Sequence, residues 1–264
     1  MKSPRAVRLA SWLEERCYAR ARKIVVVTEG IRQRLLERGV AADKIALIPN
    51  GANTDLFQPQ PAAGQALRQE LGLADAFVVL YAGIHGIAQG LELLLDVARH
   101  LQNYTSIRFL FVGEGPMKAA LLIQAQAMGL SNVMFTGEVA RERVPAFLSM
   151  AGVAVVPLRK LALFEGALPS KMFDAWACAC PTLVTIGGEA KAVLQQAEAG
   201  LWVEPEDAVA LSAAIVALAE NPARGQAMGE RGRRFVAAHY SRQAQAQQLE
   251  QLLTGITNRQ ATNW

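Results

Sequence analysis

Short apolar runs alternate with longer amphipathic stretches along most of this chain. The runs are bounded by glycine, proline and polar residues, which is typical of strands buried in a parallel sheet. The stretches between them repeat apolar positions every three or four residues, which predicts helices. Beyond the linker described below, the predicted strands are Phe77–Ala82, Ile107–Val112, Val133–Thr136, Val153–Pro157, Thr182–Thr185 and Leu201–Val203. This alternation predicts an α/β fold with a doubly wound parallel sheet.

The predicted helices fill the gaps between these strands and close the chain. They are Gly90–Leu101, Met117–Met128, Arg141–Met150, Pro169–Ala179, Ala190–Ala197, Ala208–Ala219, Arg224–His239 and Arg242–Leu253. Nearer the start, a β-α-β unit is predicted from Ile24–Thr28, Glu29–Arg38 and Lys44–Pro49. No returning strand follows Asn50-Gly51, so an extended linker with proline residues is expected over residues 51–64.

Composition excludes several classes of protein. The chain has 264 residues, 52% of them hydrophobic, which is enough for a sizeable core. A net charge of +4 indicates no general affinity for nucleic acid. Neither a membrane span nor a secretory leader is predicted, so a cytoplasmic location is expected. The spacing of Cys17, Cys178 and Cys180 fits neither a disulfide framework nor a zinc site, and all three are expected to be buried.

Basic residues crowd the N-terminus, at Lys2, Arg5, Arg8, Arg16, Arg20, Arg22 and Lys23. Val7, Leu9, Trp12 and Leu13 lie among them. Such a segment is either an amphipathic helix on an anionic membrane surface or a helix with a charged outer face.

Three loops follow predicted strand ends, where parallel sheets bind ligands. In Gly83-Ile84-His85-Gly86 the glycines let the backbone approach a ligand, or they simply form a tight turn. His85 either donates to a phosphate or is structural. Gly113-Glu114-Gly115-Pro116 resembles the start of a dinucleotide fingerprint. Lys118 replaces its third glycine, which disfavours an oxidoreductase.

The third loop leads into the sequence FEGALPSKMFDAWACACP, residues 164–181. Pro169 is suited to a first helical turn, and Lys171 then meets the unfavourable positive end of the helix dipole. An anion bound there would reverse that cost. One hypothesis is a phosphate held by Ser170 and Lys171, with Asp174 accepting from sugar hydroxyls. The alternative is an exposed helix start where Lys171 and Asp174 pair with each other.

At this point the chain resembles a known family. The motifs are IPNGANTDLFQP, LYAG, GLELLLDVA, FLFVGEGP, NVMFTGEV, GVAVVPL, PSKMFDAWACACPTLV, AGLWVEPED and RGRRFVAAHYS. Together they closely resemble the C-terminal half of family 4 glycosyltransferases, which are retaining enzymes of the GT-B fold. The loops G-x-H-G-x-A-Q-G and P-S-K are similar to the branch that builds O-antigen, capsule and exopolysaccharide, including fucosamine-type transferases.

The resemblance implies roles for individual residues. Asp174 falls where the family places the carboxylate that holds the ribose. The acid expected at Gly166 is found one place early, at Glu165, which is the catalytic candidate facing the donor sugar. Ile84 and Gln89 occupy the positions of an Arg and a Lys that commonly bind the diphosphate, so Lys171 is the expected replacement.

The base, usually uracil, is expected at the Gly113–Pro116 loop and the backbone of Val139. The predicted nucleotide-sugar-binding residues are therefore Gly83, His85, Gly86, Gln89, Gly113, Gly115, Val139, Ser170, Lys171 and Asp174. The implied partners are a UDP-sugar donor and a lipid-linked or polysaccharide acceptor. Peripheral contact with the inner membrane is a further possibility. No nucleic-acid partner is expected. Neither a metal nor another cofactor is expected.

The resemblance also implies a domain order. Residues 1–58 are expected to be the tail of a mostly missing acceptor domain with an exposed sheet edge, followed by a linker over 59–72. A nucleotide-sugar domain over 73–240, a helix over 241–258 that packs back on the acceptor domain, and a tail over 259–264 complete the order. Two alternatives to a transferase stay open: an inactive nucleotide-sugar-binding module and a UDP-sugar 2-epimerase.

Overall fold

The computed structural model of the chain describes residues 3–261, and these fall into two compact units. The first comprises the described parts of Met1–Asn50 and Gln243–Trp264, and the second is Gly51–Arg242. The second unit contains the three loops singled out above.

Residues 3–261 form eleven α-helices and eight strands. The helices are α1 Pro4–Arg20, α2 Glu29–Glu37, α3 Pro61–Glu70, α4 Glu92–His100, α5 Lys118–Ala127, α6 Val144–Met150, α7 Ser170–Ala177, α8 Gly188–Ala197, α9 Ala208–Glu220, α10 Pro222–His239 and α11 Arg242–Ala261. The strands are β1 Ile24–Val26, β2 Ile45–Leu47, β3 Phe77–Ala82, β4 Ile107–Val112, β5 Val133–Phe135, β6 Val153–Pro157, β7 Thr182–Thr185 and β8 Gly200–Trp202.

The six strands of the larger unit form one parallel sheet in the order β5-β4-β3-β6-β7-β8. Register pairs Val79 with Phe109 on one side of β3 and with Val153 on the other. The chain direction across the sheet therefore reverses between β3 and β6. In open α/β sheets the crevice at such a reversal, outside the carboxyl ends of the strands, is where ligands bind.

Apolar side chains cover both faces of this sheet. One face packs against α3, α6, α7, α8 and α10, through residues such as Leu67, Phe147 and Trp176. The other packs against α4, α5 and α9, through residues such as Leu94 and Leu211. The prediction of an α/β fold with a doubly wound parallel sheet is confirmed. All six strand predictions in this unit agree with the structure to within one residue at either end.

Helix α7 carries the predicted phosphate residues, and its buried face anchors it. Met172, Phe173 and Trp176 have no exposed surface, and each contributes about 1.5–3 kcal/mol of stability through burial. The Trp176 indole donates to the Thr182 hydroxyl at 2.9 Å. The helix ends at Ala177 rather than at the predicted Ala179, which lies in the left-handed region with a φ of 56°.

The segment expected to be an extended linker instead contains helix α3. Pro61 occupies its first turn, where a missing N–H costs nothing, and Leu67 is buried against the sheet. The Ser149 hydroxyl of α6 accepts a hydrogen bond from Gln60 N at 2.8 Å. Residues 61–70 are therefore part of the packed core of the second unit.

Two other expectations need correction. Helix α11 runs to Ala261, so residues 259–261 are helical rather than a tail, while residues 262–264 lie outside the described part. Cys178 and Cys180 are buried as expected, but Cys17 is exposed. Helix α1, which contains Cys17, leaves its apolar side chains largely uncovered, since Leu9, Trp12 and Leu13 are each at least half exposed.

The smaller unit is built around a two-stranded parallel sheet, in which Ile24 pairs with Ile45. Its core is small and contains Val26, Leu35 and Ile45. The Thr28 hydroxyl caps α2 by accepting from Ile31 N at 3.1 Å.

Candidate functional site

A cavity of about 650 Å³ opens beside the reversal point of the sheet. The loops after β3, β4 and β5 and the start of α7 line it, and we call it the Lys171 cavity. Its lining residues are Phe57, Ala82, Gly83, Ile84, Val112, Gly113, Glu114, Glu138, Val139, Arg141, Val144, Ser170, Lys171, Asp174 and Arg242. Six of the predicted nucleotide-sugar-binding residues thus share one cavity: Gly83, Gly113, Val139, Ser170, Lys171 and Asp174.

The two loops after β3 and β4 can approach each other only because glycines stand at Gly83 and Gly113. Their φ angles are 143° and 130°, which side chains disfavour. A Cβ on Gly113 would lie 2.2 Å from Gly83 O, and a Cβ on Gly83 would lie 2.8 Å from Lys171 Nζ. Gly83 therefore makes room for the lysine ammonium, and Gly113 makes room for the loop after β3.

Lys171 reaches into the cavity from the first turn of α7. Its Nζ donates to the Tyr81 hydroxyl at 3.1 Å and lies 4.5 Å from the centre of that ring. Burial lowers the pKa of Lys171 to about 8, although nearby Asp174 opposes this shift. The ammonium is thus largely desolvated, and its attraction for an anion entering the cavity is strengthened.

Asp174 lies one turn further along the same helix. Burial raises its pKa to about 6, and Arg242, Arg141 and Lys171 counteract part of that increase. Its Oδ1 atom is buried without a hydrogen-bond partner. None of the ion pairs found in residues 3–261 joins it to Lys171. The predicted alternative, in which these two side chains simply pair at an exposed helix start, therefore does not describe this site.

Among the lining residues that the sequence analysis did not single out, two are arginines and one is a phenylalanine. Arg242 donates from Nε to Gly51 O at 2.9 Å, and the Arg141 guanidinium lies 5.7 Å from the centre of the Phe57 ring. The two arginines come from distant parts of the sequence, and only the fold brings them to Asp174. The Phe57 position lies within the quoted motif IPNGANTDLFQP, which is the one signal that could have identified it.

The remaining predicted binding residues are not among those that line the Lys171 cavity. His85 is fully buried among Tyr81, Phe111 and Phe135, and neither ring nitrogen has a hydrogen-bond partner. Burial is the main reason that the pKa of His85 is lowered, so the ring is neutral near pH 7. A neutral buried ring does not offer a charged donor to a phosphate in this conformation.

The backbone of His85 has a clear structural role. Its N–H donates to Glu114 O at 2.8 Å, and its carbonyl accepts from Met117 N at 2.9 Å. A Cβ on Gly115 would lie 2.5 Å from His85 O, so this glycine is needed for the two loops to meet. Gly86 and Gln89 follow in the same loop, outside the lining residues, and Gln89 Oε1 is buried without a partner.

Glu165 lies at a second cavity, of about 460 Å³, which we call the Glu165 cavity. Its lining comes from the segments after β6, β7 and β8 and includes Arg159, Lys160, Gly187, Lys191 and Trp202. Glu165 is exposed, and its carbonyl accepts from Glu189 N at 3.0 Å. The structure does not bring this carboxylate together with Lys171 in one cavity.

Comparison with known proteins adds family membership to this geometry. Residues 65–255 match the family described as Glycosyl transferases group 1, which is more than half of the chain. The chain belongs to this family. Residues 2–56 match a second description, Glycosyltransferase Family 4.

Several curated relatives of this group 1 glycosyl transferase have names that state an activity. The GDP-mannose-dependent alpha-(1-6)-phosphatidylinositol monomannoside mannosyltransferase of Mycolicibacterium smegmatis is 29% identical over 79% of this chain and 56% of its own length. The O-antigen chain mannosyltransferase C of Escherichia coli is 28% identical over 89% of this chain and 61% of its own length. The chain therefore spans less than two thirds of either relative.

Among solved structures, Anabaena HepE in complex with UDP and glucose matches with a TM-score of 0.79 and 18% identity. That match covers 90% of this chain and 64% of HepE. It supports the α/β fold described above. Within residues 3–261 no helix is long and apolar enough to cross a membrane.

Proposed function

We propose that this group 1 glycosyl transferase moves a sugar from a UDP-sugar to a lipid-linked or polysaccharide acceptor of the bacterial cell surface, with retention of configuration. The observation that carries the proposal is the pair Lys171 and Asp174. Both are largely buried in one cavity, and they are not paired with each other. Burying two charges this way costs free energy, and a bound nucleoside diphosphate would offset that cost.

Lys171 is proposed to bind the diphosphate. Lys171 lies in the first turn of the eight-residue helix α7, where free N–H groups favour an anion, and it lines the cavity. The Ser170 hydroxyl lines the same cavity and offers another donor. As the bond between the anomeric carbon and the diphosphate breaks, negative charge grows on the departing phosphate, and these donors stabilise it.

Asp174 is proposed to accept hydrogen bonds from the two ribose hydroxyls. Its unpartnered Oδ1 then gains the donors that it lacks in the free protein. The base is proposed to lie against Val139 and the Gly113 loop, which line the same cavity. Uracil is proposed because the family resemblance implies it and because HepE is described in complex with UDP.

Glu165 stays a proposed contact of the donor sugar. Part of the lining of the Glu165 cavity comes from Arg159 to Glu165, a segment that shortly precedes α7 in the sequence. The sugar on the diphosphate is proposed to extend from the Lys171 cavity toward this exposed carboxylate.

The experiment that tests this function is calorimetric titration with UDP and, separately, with GDP. The GDP competitor is needed because the mycobacterial relative is named as GDP-mannose-dependent. Tighter binding of UDP supports the uridine donor, and tighter binding of GDP would replace it with a guanosine donor. Binding of neither nucleotide would overturn the proposed function.

A second candidate is a nucleotide-sugar-binding module that turns nothing over. The position of Glu165, which is exposed and lies outside the Lys171 cavity, favours it. Product analysis with a UDP-sugar and a lipid acceptor separates the two, because only the transferase makes a longer glycan.

We also propose peripheral contact of α1 with the cytoplasmic face of the inner membrane. Its exposed Leu9, Trp12 and Leu13 are interspersed with Arg5 and Arg16, a combination that suits anionic lipid. Co-sedimentation with anionic vesicles tests this, and equal recovery with neutral vesicles would contradict the electrostatic part.

A further inference from the structure

Tyr81 is the direct partner of Lys171, and neither the sequence motifs nor the proposed chemistry assigns it a role. It lies in β3, and its side chain is 1% exposed. Its hydroxyl stands between Lys171 Nζ at 3.1 Å and Ile84 O at 2.6 Å. The phenol thus connects the first turn of α7 with the loop after β3.

The directions of these two hydrogen bonds are fixed by chemistry. An ammonium can only donate and a carbonyl can only accept, so the Tyr81 hydroxyl accepts from Lys171 and donates to Ile84 O. Burial raises the pKa of Tyr81 well above its usual value, so the phenol keeps its proton. The result is a one-way chain of hydrogen bonds that leaves the other Lys171 protons free for a ligand.

Two further contacts restrict where the ammonium can lie. Lys171 Nζ is 4.5 Å from the centre of the Tyr81 ring, within range of a cation–π interaction. On the other side, a Cβ at Gly83 would come within 2.8 Å of the same nitrogen. Tyr81 therefore holds the Lys171 ammonium in the space that is open because residue 83 has no side chain.

We propose that Tyr81 is a positioning residue for phosphate recognition, which holds the Lys171 ammonium against the Gly83 loop so that it meets the diphosphate. This inference rests on the proposed function of the Lys171 cavity. It predicts that removing only the Tyr81 hydroxyl weakens UDP binding, although that oxygen touches no part of the ligand.

The other charged and titratable groups around Lys171 must be considered in any pH experiment. They are His85 after β3, Glu114 after β4, Glu138 and Arg141 after β5, Asp174 in α7 and Arg242 at the end of the unit. A change that belongs to Lys171 is recognised because it disappears in K171A, whereas contributions from these groups persist.

The test compares the parent, Tyr81→Phe, Lys171→Ala and the double variant by calorimetric titration with UDP from about pH 6 to about pH 10. Tyr81→Phe keeps the buried ring, and Tyr104→Phe is the matched control at an exposed tyrosine. Thermal melts establish that each variant folds. We expect Y81F to bind UDP about tenfold more weakly at pH 7.5, Y104F to match the parent, and Y81F to add less than about twofold in the K171A background.

A second measurement needs no ligand. NMR titration of the Lys171 side chain in the free protein should show a pKa lower by about one unit in Y81F, because the ammonium loses its acceptor. The alkaline loss of UDP affinity should move to lower pH by the same amount.

The outcomes separate this inference from the function on which it rests. If the parent binds neither UDP nor GDP, the proposed function and the phosphate role of Tyr81 both fail. If UDP binds and K171A weakens it, but Y81F keeps the parent affinity and the parent pKa of Lys171, only the positioning role is overturned. Additive losses in Y81F and K171A would also overturn it, since they would mean that Tyr81 acts independently of Lys171.

Discussion

The Lys171 cavity and the Glu165 cavity both lie at the carboxyl ends of the sheet, but their charged side chains are arranged differently. In the Glu165 cavity the Arg159 guanidinium bonds both oxygens of Glu92 at 3.1 and 3.2 Å, and Lys160 lies 2.7 Å from Glu204. Lys191 lies 3.3 Å from the centre of the Trp202 ring. These cations are already stabilised by the protein itself.

In the Lys171 cavity the charges of Lys171 and Asp174 are more buried and less well paired. Lys171 has a neutral phenol as its hydrogen-bond partner, and Asp174 Oδ1 has none. Ion pairs stabilise the Arg159 and Lys160 side chains in the Glu165 cavity, whereas Lys171 and Asp174 in the Lys171 cavity have no such pairs within residues 3–261. This difference supports the proposal that the Lys171 cavity binds an anion that carries hydroxyl groups, whereas the cations that line the Glu165 cavity already have partners within the protein.

The largest expected effect is on UDP binding by Lys171→Ala. Loss of a charge-assisted contact to the diphosphate should weaken binding by about 10- to 100-fold in calorimetric titration. Lys191→Ala is the matched control, because that lysine lines the other cavity and lies on Trp202. If K191A weakened UDP binding as much as K171A, the contrast between the two cavities would be lost.

Next in size is the opposite effect of Asp174→Asn on stability and binding. Removing a poorly solvated carboxylate should raise the free energy of unfolding at pH 7 by about 1–3 kcal/mol and weaken UDP binding by about tenfold. Glu92→Gln should instead lower the free energy of unfolding by up to about 1 kcal/mol, because it breaks the pair with Arg159, and leave UDP binding unchanged. Urea melts and titrations of both variants check this, and a destabilised D174N would refute the account of Asp174.

A smaller effect is expected on the way the free energy of unfolding depends on pH, and the pKa values of Asp174 and Lys171 fix its direction. The pKa of Asp174 is raised from 3.8 to about 6, so the native state binds more protons in that interval and its stability falls as the pH rises through it. The pKa of Lys171 is lowered from 10.5 to about 8, so stability rises again above about pH 8. Relative to D174N and K171A, the free parent should be least stable between about pH 6 and pH 8.

UDP affinity should be greatest in that same interval, because both side chains are then charged. It should fall below about pH 6 as Asp174 becomes protonated and above about pH 8 as Lys171 loses its proton. Titrations across this range test the profile. An alkaline decline that persists in K171A would assign it to another group.

The smallest expected effect is that of Glu165→Gln on UDP binding. The carboxylate is exposed and lies in the second cavity, so UDP affinity should change by less than about twofold. A tenfold loss would show that the two cavities act as one nucleotide site.

Local spacing made the central part of the site predictable. Ser170, Lys171 and Asp174 lie on one helix, where residues three or four apart share a face, so their proximity follows from the sequence. Gly83 and Gly113 follow apolar runs that read as parallel strands, and parallel strands align their carboxyl ends. Once the fold class is predicted, the proximity of these five residues follows from the sequence.

The rest of the site depends on contacts between distant residues. Tyr81 and Lys171 are 90 positions apart, and nothing in the local pattern of either predicts their hydrogen bond. Arg242 reaches Gly51 across 191 positions. Helix α3 falls in the predicted linker because the prolines before it and Gly64 within it are typical of a linker, whereas burial of Leu67 decides its structure.

The most direct test of the central claim is a crystal structure of the chain with UDP bound. The diphosphate should lie within hydrogen-bond distance of Lys171 Nζ, and the ribose hydroxyls should donate to the Asp174 carboxylate. Electron density for UDP in the Glu165 cavity, with the Lys171 cavity empty, would contradict it.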